Sequence, residues 1–162
     1  MPEAVPAVPD RIEKQIVLRA PRSRVWRALT DAEEFSAWFG VRIQGGFQIG
    51  KPASGPVTKP GYEHLTMTAY IEEMRPQSYF AYRWHPYAVE RGVDYSSEPT
   101  TLVEFHLEEV PEGTLLKVTE SGFSRLPAAR GAKAFEMNEG GWAGQLKNIE
   151  RHVLATAKRA PS

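Results

Sequence analysis

The sequence predicts an α+β fold in which an antiparallel sheet is followed by one long helix. Three observations predict it: two short amphipathic segments follow the first strand-like segment, about five more strand-like segments come in succession, and a long apolar stripe at helical spacing ends the chain. Strands that are segregated from the main helix are typical of α+β proteins, whereas a parallel α/β sheet would alternate strands with helices. We expect a curved sheet to cover the helix and to leave a cavity between them.

The first strand is predicted over residues 12–18, and Pro21 ends it. Because proline lacks the N–H that is unpaired at a helix start anyway, Pro21 also favours a helix that begins there. Val25, Trp26 and Leu29 then recur at i, i+1 and i+4, which marks one face of a short helix. We expect Trp26 to belong to the core.

A second short helix is predicted to begin after Asp31, which resembles a capping box together with Glu34 three residues later. Its apolar face repeats at i, i+3 and i+4 and consists of Phe35, Trp38 and Phe39. Gly40 follows directly, and glycine is typical of the position at which a helix stops. Two short helices are therefore expected between the first strand and the rest of the sheet.

Five strand-like segments follow, and the turn Pro111-Glu112-Gly113 predicts a hairpin between the last two. The segments are residues 41–49, 65–74, 79–85, 102–110 and 114–123. The clearest alternation places Phe80, Tyr82 and Trp84 on one face of a strand. Residues 50–61 are predicted to form a loop rich in proline and glycine, and residues 86–99 a long polar loop. The sheet should therefore have about six strands.

The final helix is predicted to begin at about Ala134, after a polar linker over residues 124–133. One apolar stripe runs along it at steps of four, three, four and four residues. The stripe consists of Trp142, Leu146, Ile149, Val153 and Ala157. This helix is the element that the sheet is expected to cover.

The composition excludes several classes of protein. The 20 basic residues balance the 20 acidic ones, so the chain lacks the excess of positive charge that is typical of nucleic-acid binders. It contains no cysteine, which rules out disulfides and cysteine-ligated metals. A hydrophobic fraction of 41% with 25% charged residues is that of a globular protein and excludes wholesale disorder.

The length of 162 residues fits one domain, predicted over residues 10–160. Residues 1–9 contain three prolines and are expected to form a disordered leader. No basic segment followed by an apolar run indicates a signal peptide, and no apolar run is long enough to span a membrane. The sequence therefore predicts a cytoplasmic protein that is not associated with a membrane.

No metal or cofactor site is predicted. The four histidines lie on four different predicted elements, so no spacing suggests a shared metal ion; they are His64, His85, His106 and His152. The glycine pairs lack the spacing of a phosphate-binding loop, and no GxSxG motif accompanies a nucleophilic serine. We expect the histidines to be exposed or hydrogen-bonded.

Four segments in order resemble one known family. They are Val25–Asp31 with Trp38-Phe39-Gly40, Ile71–Pro76 with Tyr82-Arg83-Trp84, Thr114–Phe123, and Gly141-Trp142 with Leu146 and Ile149. Together they resemble the SRPBCC superfamily, in particular its branch of activator-of-heat-shock-protein-90-ATPase homologues. The resemblance implies the helix-grip fold shared with START and birch-pollen-allergen proteins, in which a curved antiparallel sheet grips the C-terminal helix around a hydrophobic cavity.

Glu120 is the polar residue that the pattern singles out. By alternation it shares the face of Leu116 and Val118, which should point into the cavity. A buried carboxylate is costly unless it is paired or hydrogen-bonded, so it calls for a partner or a ligand. Alternatively, a bulge near Gly122 turns it outward, or an internal arginine pairs with it.

The aromatic residues on the predicted inner faces have two interpretations, core packing and the lining of a ligand cavity. The ligand-binding candidates are Trp38, Phe39, Phe80, Tyr82, Trp84, Phe105, Glu120, Phe123, Trp142 and Leu146.

Three functions remain open. The first is a binding protein for a small hydrophobic or aromatic molecule, with Tyr82, Glu120 and the Trp84 N–H orienting its polar end. The second, implied by the resemblance, is a regulator of an Hsp90-type ATPase, although the larger activators carry an additional N-terminal domain that we do not find here. The third is a cyclase- or dehydratase-like enzyme with Glu120 as general acid–base and Tyr82 as helper. The sequence favours the first and leans away from an enzyme; a monomer and a homodimer are both compatible with it.

Overall fold

The computed structural model describes residues 10–87, 95 and 97–159, with side chains up to residue 155. The predicted leader and most of the 86–99 loop lie outside the described residues. The elements in chain order are β1 (Arg11–Leu18), α1 (Arg22–Thr30), α2 (Ala32–Phe39), β2 (Pro52–Pro56), β3 (Thr66–Arg75), β4 (Tyr79–Trp84), β5 (Thr101–Val110), β6 (Gly113–Ser121), a short 3₁₀ helix (Phe123–Arg125) and α3 (Ala128–Arg159).

The six strands form one open antiparallel sheet in the order β1-β6-β5-β4-β3-β2. Its inner face packs against α3, while α1 and α2 pack against each other and against α3, and α1 also contacts β5 and β6. The predicted α+β class, the helix-grip architecture and the two short helices after the first strand are confirmed. No helix in the described part of the chain is long and apolar enough to cross a membrane.

The short helices begin and end as their sequence indicates. The Asp31 carboxylate accepts a hydrogen bond from the Glu34 backbone N–H at 3.0 Å, which satisfies a donor that a helix start leaves unpaired. Gly40 ends α2 with φ of 93°, a left-handed conformation that favours glycine. Trp26, expected in the core, is partly buried and packs edge-on against Phe80 at the border of the core.

The prediction of a strand over residues 41–49 is wrong. This segment forms an isolated bridge between Val41 and Val57 and donates two backbone hydrogen bonds to β2, but it is not a strand of the sheet. The second strand is instead β2, inside the predicted 50–61 loop. Both ends of β2 are prolines, which an edge strand tolerates because no ladder hydrogen bond is required there. Gly55 permits a close approach to the preceding segment, since a Cβ there would lie 1.9 Å from the Arg42 carbonyl oxygen.

The predicted start of the final helix is also wrong, because α3 begins at Ala128 inside the predicted linker. Pro127 precedes the helix and its carbonyl accepts from the Gly131 N–H at 2.8 Å. The first turns are rich in alanine, which has high helix propensity but gives no apolar periodicity to read. The helix therefore extends back to the region beside the β4–β5 connection.

Candidate ligand-binding groove

A groove of about 1780 Å³ runs along one side of α3. Its other walls are α2, the segment between β2 and β3, part of β3 and the end of β4. The aromatic side chains that line it are Trp38, Phe39, Tyr70, Trp84, Tyr87, Tyr95 and Trp142. The groove is therefore an aromatic surface on the flank of the helix that the sheet grips.

The interior between the sheet and α3 is filled with aromatic rings. Phe80 stacks on Phe105 at 6.1 Å between ring centroids, and Phe105 meets Trp142 edge-on at 5.7 Å. Phe35 contacts the Tyr82 ring edge-on from α2. These contacts support the core-packing interpretation for the interior rings, whereas the groove lies beside the helix.

The structure thus divides the predicted site residues into two groups. Four line the groove, namely Trp38, Phe39, Trp84 and Trp142. Six are buried behind it, namely Phe80, Tyr82, Phe105, Glu120, Phe123 and Leu146. Contact of any of them with a ligand stays a prediction.

Glu120 lies on β6, fully buried, with its backbone in continuous register between β1 and β5. The Oε2 atom accepts from Thr101 Oγ1 at 2.6 Å and from Trp84 Nε1 at 2.7 Å. The Oε1 atom accepts from Asn138 Nδ2 at 3.0 Å and from Trp142 Nε1 at 2.8 Å. The carboxylate is thus directed inward and paired with four neutral donors, with neither a bulge nor an arginine partner in the described part of the chain.

This arrangement fixes the two indoles of the groove wall. An indole N–H can only donate a hydrogen bond, and each carboxylate oxygen accepts from one of them. Trp84 and Trp142 therefore share one acceptor, and their rings lie 6.1 Å apart. Glu120 acts as a positioning residue, because its oxygens are occupied by protein donors and its side chain has no exposed surface.

Burial raises the pKa of the Glu120 carboxyl above its ordinary value, and the four hydrogen bonds only partly oppose this shift. Burial also raises the pKa of the Tyr82 hydroxyl, and the charge of Glu120 raises it further. The Tyr82 hydroxyl forms no hydrogen bond with any described residue. It is a buried polar group whose desolvation is uncompensated by protein partners.

Because that cost is removed with the hydroxyl, Tyr82→Phe is expected to raise the free energy of unfolding by about 1 kcal/mol in the unliganded protein. Tyr79→Phe on the same strand is the matched control, since the Tyr79 hydroxyl donates to Glu104 and its loss should destabilise the protein. Urea denaturation of both variants measures the difference. A loss of stability in Tyr82→Phe as large as that of the control would contradict the unpaired hydroxyl.

Hydrogen bonds and ion pairs hold the helices that form the groove. Trp38 Nε1 donates to the Ala28 carbonyl of α1 at 2.8 Å, and Gln145 Nε2 of α3 donates to the Phe39 carbonyl at 2.9 Å. These two hydrogen bonds fix α2 between α1 and α3, so they connect the walls of the groove.

Glu34 adds a charged connection among the same three helices. Its carboxylate bonds Arg24 of α1 at 2.7 Å and His152 of α3 at 3.0 Å, and it pairs with Arg27 at 3.0 Å. Burial alone would raise the pKa of Glu34, but the hydrogen bonds from His152 and Arg24 outweigh it and hold the pKa below its ordinary value. The ionised carboxylate therefore stabilises the end of the groove at neutral pH.

Sequence reasoning missed the polar side of the groove, which lies on α3 next to the apolar stripe. These lining residues are Asn138, Gly141, Gly144, Gln145, Asn148, Arg151 and His152. Their spacing of three and four residues is the signal that could have found them, because it marks a second stripe of small and mostly uncharged side chains.

The fold and the groove define an α+β helix-grip protein with a large groove beside the gripped helix. The chain belongs to the family of activator of Hsp90 ATPase homolog 1-like proteins, whose family model matches residues 19–153. No curated protein matches the chain in sequence.

Several solved structures share the fold at low sequence identity. Protein MLL2253 from Mesorhizobium loti is 18% identical, with a TM-score of 0.71 over 90% of this chain and 98% of its own. The Aha1 dimer from Colwellia psychrerythraea is 17% identical, with a TM-score of 0.66 over 88% of this chain and 95% of its own. DynU16, a protein of the dynemicin biosynthetic locus, is 21% identical, with a TM-score of 0.68 over 90% of this chain and 47% of its own.

Proposed function

We propose that this protein binds a small apolar or aromatic molecule in the groove beside α3. The observation that carries the proposal is the pair of indoles that Glu120 holds at the groove wall. Fixed aromatic rings make good binding surfaces, because little side-chain entropy remains to be lost when a ligand packs on them. Burying a carboxylate to orient two groove-lining tryptophans carries a desolvation cost, and a function of the groove in ligand binding would explain why the protein retains it.

The size and lining of the groove agree with this function. Ligand pockets commonly measure about 300–1,000 Å³, so a drug-sized molecule would occupy only part of this space. The aromatic wall offers apolar contact, and the amides of Gln145 and Asn148 add a few polar groups to the lining from α3. Such a combination of an apolar surface with a few polar groups is typical of small-molecule sites.

Glycines on α3 give further support. Gly141 and Gly144 line the groove, and a Cβ at either position would meet no atom within 4 Å. Glycine inside a helix costs about 0.5–1 kcal/mol relative to alanine, and no packing within the protein requires it here. A ligand that lies against the helix backbone would account for both residues.

Gly144→Leu is therefore expected to maintain or raise stability while weakening the binding of an aromatic probe such as 2-naphthol by about tenfold or more. Leucine is a good helix former, but its side chain would project into the groove. Ala143→Leu is the matched control, because Ala143 is exposed on α3 outside the groove and should leave the probe affinity unchanged. Thermal denaturation and calorimetric titration separate the two effects, and equal affinities in both variants would contradict the site.

The proposal itself is tested by titrating the wild-type protein with 2-naphthol and with decanol. Saturable one-to-one binding with a change in tryptophan fluorescence supports it, since Trp84 and Trp142 lie in the wall. Absence of saturable binding of both probes would overturn it.

A second candidate function rests on family membership. We propose regulation of an Hsp90-type ATPase through protein contact as the alternative, because the family is described by that activity. A change in the ATPase rate of such a chaperone on titration with this protein would support it, and an unchanged rate would oppose it. The enzyme hypothesis has less support, because the Glu120 oxygens are occupied and inaccessible to a substrate.

A further inference from the structure

The side chains that line the groove change from aromatic to polar to charged along α3. Trp142 faces the aromatic end, Gln145 and Asn148 follow at steps of three residues, and Arg151 lies three residues further on. At 1.5 Å per residue, Trp142 and Arg151 are about 14 Å apart along the helix. The groove lining therefore includes an aromatic ring, two amides and a guanidinium in sequence along the helix axis, and the 100° turn per residue carries this lining around the helix from Trp142 to Arg151.

Among the residues that the structure describes, no acidic side chain pairs with the cation at the polar end. The Arg151 guanidinium donates to the Asn148 side-chain carbonyl, and in the part of the chain that the structure describes it forms no ion pair. Lys59 lines the same groove from the segment before β3, and its contact among those residues is with the Tyr62 ring, a neutral partner. Two cations without a carboxylate partner among the described residues therefore lie in a groove that also has an aromatic wall.

Within the described ranges, the acidic side chains at the groove lie far from Arg151 or are already paired. Glu136 lines the opposite end, about 22 Å from Arg151 along α3 at 1.5 Å per residue. Glu34 is engaged by Arg24, Arg27 and His152. The electrostatic asymmetry of the groove therefore points along the helix, with positive charge at the Arg151 end.

We infer that the ligand of this groove is an amphipathic anion, with its apolar part on Trp84 and Trp142 and its acidic group at Arg151. This inference rests on the proposed binding function and names its ligand class. A guanidinium suits the acidic group, because its planar fork of donors matches a carboxylate or a phosphate. The two ends are about 14 Å apart along the helix axis, so an elongated ligand is expected.

The test compares decanoate with decanol, which share an alkyl chain and differ in the charge of the head group. Wild-type protein is expected to bind decanoate about tenfold more tightly than decanol, and only the decanoate affinity should weaken as salt concentration rises. Arg151→Gln should remove most of that preference while leaving decanol binding unchanged. Lys147→Gln, which removes an exposed cation one turn away on the same helix that does not line the groove, is the matched control and should change neither affinity.

The outcomes separate this inference from the function on which it rests. If both probes bind equally well and Arg151→Gln changes nothing, the anionic class is overturned while the binding function stands. If neither probe binds, both are overturned. A loss of preference in Lys147→Gln equal to that in Arg151→Gln would also overturn the inference, because it would reflect overall charge rather than the groove. Since Arg151 is exposed, its substitution should leave folding intact.

Discussion

The substitution Glu120→Gln is expected to lower the free energy of unfolding by about 2–4 kcal/mol at neutral pH. Each carboxylate oxygen accepts from one indole N–H, Trp84 at Oε2 and Trp142 at Oε1. A glutamine side chain must place its NH₂ group at one of these positions. Thr101 can rotate its hydroxyl and Asn138 can turn its amide to adapt, but an indole cannot accept a hydrogen bond. One buried tryptophan N–H therefore loses its acceptor in either orientation.

The control for this substitution is Glu108→Gln on β5, where the side chain is exposed and the change should stay within about 0.5 kcal/mol. Urea denaturation of the wild type and both variants gives the comparison. The indole N–H resonances of Trp84 and Trp142 supply a second readout, because the donor that loses its acceptor should shift. Equal stabilities of the two variants would contradict the network.

The stability difference between wild type and Glu120→Gln depends on pH, and the raised pKa of Glu120 sets the direction of that dependence. In the folded protein, burial holds the pKa of Glu120 above its ordinary value of 4.5. The contribution of the group to stability is therefore greatest below about pH 4.5 and decreases as the pH rises through the raised pKa. Glutamine does not titrate, so the stability difference between wild type and Glu120→Gln should be larger at about pH 5 than at about pH 7.5. An increase with pH would indicate that the hydrogen bonds outweigh burial.

Trp142→Ala is expected to lower the free energy of unfolding by about 3–5 kcal/mol and to abolish measurable binding of 2-naphthol. The side chain is 3% exposed, contacts the rings of Phe39, Trp84 and Phe105, and donates to Glu120. Its removal leaves a void between α3 and β5 and takes away one wall of the groove. Both stability and binding should therefore fall together.

Trp26→Ala is the matched control for this second substitution. Trp26 is a partly buried tryptophan of α1 that packs against Phe80 and does not line the groove. Its removal should cost stability without changing the affinity for 2-naphthol, measured at a temperature where each variant is folded. Retention of binding in Trp142→Ala would show that the probe binds elsewhere.

These two substitutions bear on one physical arrangement. A carboxylate in the core is stabilised by four neutral donors, and two of those donors are the indoles that form the groove wall. Because Trp142 donates to Glu120, substitutions of these two residues should not have additive effects on the free energy of unfolding. A double-mutant cycle with Glu120→Gln and Trp142→Phe would measure the coupling free energy. The stability of the core and the shape of the groove therefore depend on the same residue.

Much of the fold could be predicted because its elements have strong local signals. The alternation of Phe80, Tyr82 and Trp84 predicted β4, and the cap at Asp31 with the stop at Gly40 predicted α2. The edge strand could not be predicted from its sequence. Pro52 and Pro56 argue against a strand, and only the position at the sheet edge, which is a tertiary property, makes them acceptable.

Part of the candidate site could also be predicted from local sequence patterns. Period-2 counting placed Glu120 on the inner face of β6, because register fixes which side chains point inward. The identity of its partners depends on contacts between residues that are 18 to 36 positions away in sequence, which no local pattern encodes. The sequence predicted a cavity between the sheet and α3, whereas the groove lies on the flank of α3. Its position depends on how much of the interior the packed rings fill, and the alternation of residues along a strand does not measure that volume.

Binding of an aromatic molecule in the groove is best tested by a heteronuclear NMR titration with 2-naphthol that follows the four indole N–H signals. Three of the tryptophans, Trp38, Trp84 and Trp142, line the groove, and Trp26 does not. We expect the signals of the first three to shift in a saturable manner while that of Trp26 stays in place. Four unmoved signals at high probe concentration, or a shift of Trp26 as large as the others, would contradict it.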